Sequence, residues 1–445
     1  MKRRDFLRRA IPATMLPFGI NGFSLAAYGR PPFREPVLAD GAPPDRVLVL
    51  IQLNGGNDGI NTLIPLDQYA TYYDLRSNIA IPEDRVLRLT DRTGLHPAAS
   101  GLKTLYDGGK LCIVQGVSYP NPNLSHFRAT DIWLTASDYN QYLSNGWMGR
   151  YLDFEFQGYP GGYPNEEMPD PLAIQIASVA SIGFQGPSQS MAVTLQDPNT
   201  FYRLVSGSTS GGEDEVPQTP AGRELAYIRQ IGDQSVRYAA RVKAAADRAK
   251  NRSSLYPAAG RNALADQLKV VARLIGGGLK TRMYLVSMGG FDNHSNQAVS
   301  GETTTGTHAT LLGNLAAAAL AFQDDIELLG AGHRVIAMTF SEFGRRVVSN
   351  GSLGTDHGTA APMFLFGGMV RPGIAGSNPS LTDLTSGNLK TQYDYRTVYA
   401  AVLNQWFGVP AVDLDAVLLK EFQPLELMQR ASMFQRRRPV EIVPE

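Results

Sequence analysis

Apolar positions along this chain fall into short, nearly unbroken runs separated by longer segments with helical spacing. The first run, 46–53, reads Arg-Val-Leu-Val-Leu-Ile-Gln-Leu and stops abruptly at Asn54-Gly55-Gly56-Asn57-Asp58-Gly59. A strand that is apolar at successive rather than alternate positions is one buried on both faces. Similar runs stand at 111–117, 172–177, 283–288, 335–340 and 363–366, with helical patterns between several of them, notably 97–106 and 308–329. Strands alternating with helices predict an α/β fold with a doubly wound, mostly parallel sheet. From 151 to 275 the rhythm changes to a Gly/Pro/Tyr-rich stretch, a Ser/Gly segment at 206–212, and helical patterns at 224–250 and 262–274. This predicts an inserted, partly helical cap region, 151–275, between a first core part, 46–150, and a second, 276–425. No repeat at a solenoid or propeller period interrupts that plan.

The N-terminus carries an address. Lys2-Arg3-Arg4-Asp5-Phe6-Leu7-Arg8 precedes a weakly apolar stretch broken by Pro12, Pro17, Gly19 and Gly22, which ends in Ser24-Leu25-Ala26-Ala27. Paired arginines, a short breaker-rich apolar segment and a small-residue end predict a twin-arginine signal peptide, 1–27, cleaved near Ala26 or Ala27. The expected partner is the twin-arginine export machinery, and the expected location is periplasmic or secreted. A Pro-rich linker, 28–45, follows, and a basic tail, 426–445, closes the chain around Arg436-Arg437-Arg438. Later apolar runs fall short of the ~20 residues of a membrane helix, so no stable transmembrane segment is expected after processing. Lysine plus arginine equals aspartate plus glutamate at 41 each, which gives no global field to recruit nucleic acid. The single Cys112 lies in an apolar run, reads as a small buried hydrophobe, and excludes both an intrachain disulfide framework and a thiolate zinc site.

Ligands of open α/β sheets bind beyond the carboxyl ends of the strands, which directs attention to the polar residues there. Asn54, Asn57 and Asp58 follow the first run; Ser125 and His126 lie a few residues beyond the second; Asp292 and His294 follow 283–288; Glu342 follows 335–340; Asp356 and His357 precede the run at 363. Carboxylate oxygens and neutral imidazoles are the ligands that Zn²⁺ and Mn²⁺ accept without thiolate. Several readings stand side by side. Asn54 and Asn57 are turn residues or ligands, Asp58 a helix cap or a ligand, Ser125 an N-cap or a nucleophile at a helix start, and His126 a ligand, a proton donor or a helix-face contact. His96, His308 and His333 read as structural or exposed. Rival chemistries lack their marks: Gly116-Val117-Ser118-Tyr119-Pro120 has proline where a serine-hydrolase elbow needs glycine, and no phosphate-binding loop, dinucleotide fingerprint or His-Glu-x-x-His motif occurs.

The ordered set Asn-Gly-Gly-Asn-Asp-Gly at 54–59, Ser-His-Phe-Arg-Ala at 125–129, Gly-Gly-Phe-Asp-Asn-His at 289–294, Ser-Glu-Phe-Gly-Arg-Arg at 341–346 and Asp-His-Gly at 356–358 resembles the bacterial domain-of-unknown-function family fifteen-hundred-and-one. That family looks like a distant branch of the alkaline phosphatase and sulfatase superfamily, whose members are α/β metallohydrolases. The resemblance implies Asn54 or Asp58 as first metal ligand, Ser125 as nucleophile, Asp292 and His294 as the central ligand pair, Glu342 where the superfamily has Asp followed by His, and His357 as last ligand. Phe343 departs from that pattern by standing in a histidine's place. One ion, a weak second ion and a site that has lost catalysis therefore remain open. The expected function is an exported hydrolase of phosphate or sulfate esters that uses a divalent metal, Zn or Mn/Ca, with Arg128 or Arg345 offsetting developing charge. Its expected substrate is a small anionic ester or a glycan- or lipid-linked one. The alternative is a non-catalytic exported binding or assembly protein on the same scaffold.

Overall fold

The computed structural model describes residues 45–205 and 219–429. The signal segment 1–27, the linker up to 44, the Ser/Gly segment and the arginine cluster of the tail lie outside the described residues. A nine-stranded sheet forms the centre. Its strands are β1 (Val47–Leu53), β2 (Leu111–Ser118), β3 (Ala173–Ile176), β4 (Ala192–Leu195), β5 (Met283–Met288), β6 (Val335–Phe340), β7 (Ala361–Phe366), β8 (Gly373–Ala375) and β9 (Tyr393–Asp394). They run in the order β8-β2-β7-β6-β1-β5-β3-β4, with β9 also paired to β2. Every pairing is parallel except the two made by β7, which runs against both β2 and β6.

The helices that matter are α1 (Gly59–Thr62), α2 (Tyr69–Arg76), α3 (Ser100–Asp107), α4 (His126–Thr135), α5 (Trp147–Glu155), α6 (Pro198–Val205), α7 (Pro220–Arg248), α8 (Ala263–Gly276), α9 (Thr307–Leu328), α10 (Tyr395–Ala401) and α11 (Leu414–Leu418). Alternation along β1 explains the unbroken apolar run. Val47, Val49, Ile51 and Leu53 pack with α3, α6, α7, α8 and α9, whereas Leu48 and Leu50 pack with α4, α5, α10 and α11 on the other face. Both faces are dry, so the sheet sits between two helical layers. The region 151–275, read from sequence as an inserted cap, is part of these layers among its described residues. It supplies β3 and β4 to the sheet edge and α6, α7 and most of α8 to one face. Strand β4 escapes the sequence pattern, its run Ala-Val-Thr-Leu being interrupted by Thr194. No helix among the described residues is long and apolar enough to cross a membrane, and Cys112 is buried, with its thiol pushed up to about 12 by burial.

Two features of this frame decide where functional residues can meet. The reversal of β7 is the first: its amino end lies at the edge where β1, β5 and β6 have their carboxyl ends. A residue just before β7 therefore joins residues just after the parallel strands. The second is the turn after β1, where Gly55 has φ of +118° and Gly56 of +78°. A Cβ at Gly55 would lie 2.3 Å from the Asp292 nitrogen, and one at Gly56 would lie 2.4 Å from the Phe343 ring. Only glycine meets both demands.

Helix α4 is anchored by aromatic packing. Trp133 stacks on Tyr395 with ring centroids 4.3 Å apart, and the Tyr395 hydroxyl donates to the Ile132 carbonyl at 2.8 Å. Below the turn after β1, His308 at the start of α9 is buried with Nε2 3.0 Å from Asn57 Oδ1, and it lies edge-on to buried His96. Burial strips solvation from the charged imidazoles and lowers His308 to about 4 and His96 to about 3. Between those values and the ordinary 6.5, the unfolded chain binds protons that the folded chain refuses. Stability is therefore fully present above pH 6.5 and falls as the pH drops towards 4. Urea midpoints measured from pH 7 to pH 5 should decline, and His308→Gln, which can still donate to Asn57, should shed about half of that slope.

Candidate metal centre

The side chains of the site come from three parts of the sheet edge. Asp292 and His294 lie on the loop after β5, His357 just before β7, and His126 opens α4. Asp292 Oδ1 is 3.1 Å from His294 Nε2 and 3.2 Å from His357 Nε2, and Oδ2 is 3.4 Å from His126 Nε2. His294 Nε2 and His357 Nε2 are 2.9 Å apart. The ligand atoms of His126, Asp292 and His357 all fall within 4.8 Å of one another, the spacing of a group able to hold a metal ion.

Hydrogen bonds behind these rings define which nitrogen is bare. His357 Nδ1 faces the Leu124 carbonyl at 2.9 Å, and a carbonyl only accepts, so Nδ1 carries the proton and Nε2 the lone pair. His126 Nδ1 faces Glu342 Oε1 at 2.8 Å, which places that proton likewise on Nδ1. Its buried Nε2 has no hydrogen-bond partner. Two imidazole lone pairs and a carboxylate thus face one small space with no donor among them, an arrangement able to accept a cation. The atom separations of 2.9–3.4 Å lie at or just below the ~3.3–3.6 Å between neighbouring ligands of a tetrahedral shell with bonds of ~2.0–2.2 Å, so taking an ion requires the side chains to spread by a few tenths of an ångström. The donor set fits a borderline ion such as zinc or manganese.

The carboxylate is kept ionised. Burial pushes Asp292 upward, but the hydrogen bond and the charge of Arg345 outweigh it and, with the imidazoles close by, bring the group down to about 2. Arg345 is fully buried. Its Nη2 reaches Asp292 Oδ1 at 2.7 Å, Phe291 O at 3.0 Å and Gly55 O, while Nε reaches Gly56 O and Nη1 reaches Thr355 O, each at 2.8 Å. A guanidinium so engaged positions three loops. The sequence reading expects Arg128 or Arg345 to offset developing charge; here Arg345 is bound to backbone carbonyls and Asp292.

Other expected residues take different places. Asp58 is a structural anion: Oδ1 caps α1 through the Ile60 and Asn61 N–H groups, and Oδ2 pairs with Arg76 at 2.6 Å and accepts from Gln297 at 2.5 Å. Burial pushes this carboxyl up, but the Arg76 and His308 charges and these bonds hold it below its ordinary value. It is not a member of the ligand cluster. Asn54 contributes its backbone, donating to Met288 O and accepting from Phe291 N, and so pins the loop that bears Asp292. Glu342, expected as a ligand, stands one step behind as the partner of His126, with Oε1 also accepting from Gly55 N at 2.8 Å. Arg128 turns away from the cluster and bonds to the carbonyls of Asp138, Tyr139 and Gln141. Phe343, in the place of an expected histidine, packs its ring 4.8 Å from His126 and 4.6 Å from His357, making an apolar wall.

Ser125 occupies the N-cap position of α4 with extended backbone, yet its side chain makes no capping bond and is exposed. It lies between Leu124, which holds His357, and His126. Sequence reasoning placed Asp356 at this edge without giving it a role, and missed Gln297. Asp356 Oδ1 lies 3.4 Å from His294 Nδ1 and steadies that ring, and Gln297 ties Asp58 to Thr355, whose hydroxyl donates to Gln297 Oε1 at 2.8 Å. Nothing local marks Gln297.

The chain belongs to the family described as "Protein of unknown function (DUF1501)", whose model matches residues 114–416 and thus covers every residue of the cluster. No curated protein matches the chain. Among solved structures it is similar to the zinc complex of the C-terminal periplasmic domain of EcEptC from Escherichia coli, at 10% identity over 72% of this chain and 73% of that one, with a TM-score of 0.32.

Glu342→Gln should weaken metal binding by about 10–100-fold in a competitive chelator titration, because it replaces the anion that orients His126. Asp58→Asn should instead leave metal stoichiometry unchanged and lower unfolding free energy by about 3–5 kcal/mol, the cost of breaking a buried ion pair. A loss of metal on Asp58→Asn would return Asp58 to the ligand set.

Proposed function

We propose that this DUF1501 protein is an exported metal-dependent hydrolase of phosphate or sulfate esters, with the ion held by His126, Asp292 and His357 and with His294 as a fourth donor. The observation that carries the reading is the convergence of bare imidazole nitrogens and an ionised carboxylate on one space at the sheet edge. A bound divalent ion supplies a Lewis acid that polarises an ester oxygen and eases loss of a proton from the attacking group.

The chain's own residues set the rest of the chemistry. Arg345 keeps Asp292 ionised and in place. Glu342 and the Leu124 carbonyl hold the tautomers of His126 and His357. Phe343 excludes water on one side. The Ser125 hydroxyl, free of any capping duty, is the nucleophile in this reading. Because no side chain caps α4, its first-turn N–H groups and dipole are open to the anionic part of an ester.

One observation favours the alternative of a non-catalytic binding or assembly protein. Both arginines expected to offset charge, Arg128 and Arg345, are committed to backbone carbonyls. Elemental analysis of the purified protein, run beside aryl phosphate and aryl sulfate substrates, separates the two readings. Metal with turnover is expected; metal-loaded protein inert on both ester classes would favour the binding protein. Ser125→Ala should abolish turnover while metal content is retained and stability falls by less than about 0.5 kcal/mol, since no cap is lost. Undiminished activity in that variant would remove Ser125 from the chemistry and leave water as nucleophile.

A further inference from the structure

Arg128 points to a second feature of the site. Its Nη2 donates to the carbonyls of Asp138 at 3.3 Å, Tyr139 at 3.1 Å and Gln141, and its guanidinium lies 4.0 Å over the Tyr142 ring. Asp138 is in turn paired with Arg396 at 2.7 Å and with Lys420. The loop Asp138-Tyr139-Asn140-Gln141-Tyr142 is thus pinned from beneath through its backbone and through Asp138, while the side chains of residues 139–142 remain exposed. Tyr142 is 81% exposed, and Phe127, beside Arg128 on α4 and next to the candidate ligand His126, is 88% exposed.

A loop pinned through its backbone thus leaves two tyrosines and two amides in water, braced by the helix that also carries the exposed Phe127. One face of Tyr142 is already covered by the Arg128 guanidinium, so the other is oriented for stacking. The four side chains are uncharged. Flat aromatic faces interleaved with amides match a sugar, whose ring presents an apolar C–H face and a rim of hydroxyls. We propose that the 139–142 loop, together with Phe127 of the helix whose Arg128 braces it and whose His126 faces the candidate metal centre, forms a carbohydrate-binding surface with a neutral glycan as ligand. Sugar rings stack on Tyr142 and Phe127, and Asn140 and Gln141 hydrogen-bond to hydroxyls. Pinning the loop in advance reduces the ordering cost of binding. That the glycan carries the hydrolysed ester rests on the hydrolase reading; the binding itself does not.

The test is affinity electrophoresis of the purified mature protein through gels containing soluble neutral glucan, xylan or galactomannan, with and without EDTA. At least one polysaccharide should retard the protein, EDTA should not abolish the effect, and Tyr142→Ala and Phe127→Ala should each weaken it about tenfold with metal content unchanged. Both substituted side chains are exposed, so the fold tolerates their loss. Equal mobility in every gel, equal retardation of the variants, or binding to phosphatidylglycerol vesicles in place of polysaccharide would overturn the proposal. Retardation without turnover of phosphate or sulfate esters would leave the carbohydrate-binding surface standing and sink the hydrolase reading.

Discussion

The site depends on one buried guanidinium. Arg345 gathers the loop after β1 through Gly55 and Gly56, the loop after β5 through Phe291 and Asp292, and the loop before β7 through Thr355. Backbone bonds from Phe291 N to Asn54 O and from Thr355 N to Asn293 O also tie these loops, and Arg345 adds the bond that holds the Asp292 carboxylate itself. A planar donor array in a dry environment does this where a lysine could not, because lysine offers a single point of charge with no fixed fork. The glycines at 55 and 56 are the counterpart: they bring backbone carbonyls close enough to accept, at positions where any Cβ would strike Asp292 or Phe343.

Around that node the chemistry is arranged in two tiers. The inner tier is His126, Asp292, His294 and His357, whose facing atoms are almost all acceptors. The outer tier is Glu342, the Leu124 carbonyl and Asp356, which fixes rings without competing for the shared space. The packing of Trp133 against Tyr395 belongs to the same design at longer range, since it anchors α4 and through it both His126 and the exposed aromatic rim. Arg128 then serves the rim as Arg345 serves the centre. Two arginines that sequence logic assigns to anion chemistry act here as braces.

Much of this was legible in the residue order. Apolar runs located the strands because a strand buried on both faces leaves no room for polar side chains, and 283–288 and 335–340 match their strands at both ends. Strand ends marked where polar residues would collect, and the unusual density of Asp and His there pointed to metal chemistry. What stayed hidden was the division of labour. Asp58 and Glu342 look like ligands in sequence, yet one is consumed by Arg76, Gln297 and the cap of α1, and the other by His126 and Gly55.

The sequence by itself determined the class of sheet, the edge at which the chemistry gathers and the residue types available there, because hydrophobic periodicity and side-chain chemistry are local properties. Only the tertiary structure decided which of those residues share a space. The reversal of β7 brings His357 to the carboxyl ends of the parallel strands although it precedes its own strand. Likewise the tautomers of His126 and His357 are set by partners 216 and 233 positions away. Strand direction and hydrogen-bond pairing are relations between distant segments, and no window of sequence contains both ends of them.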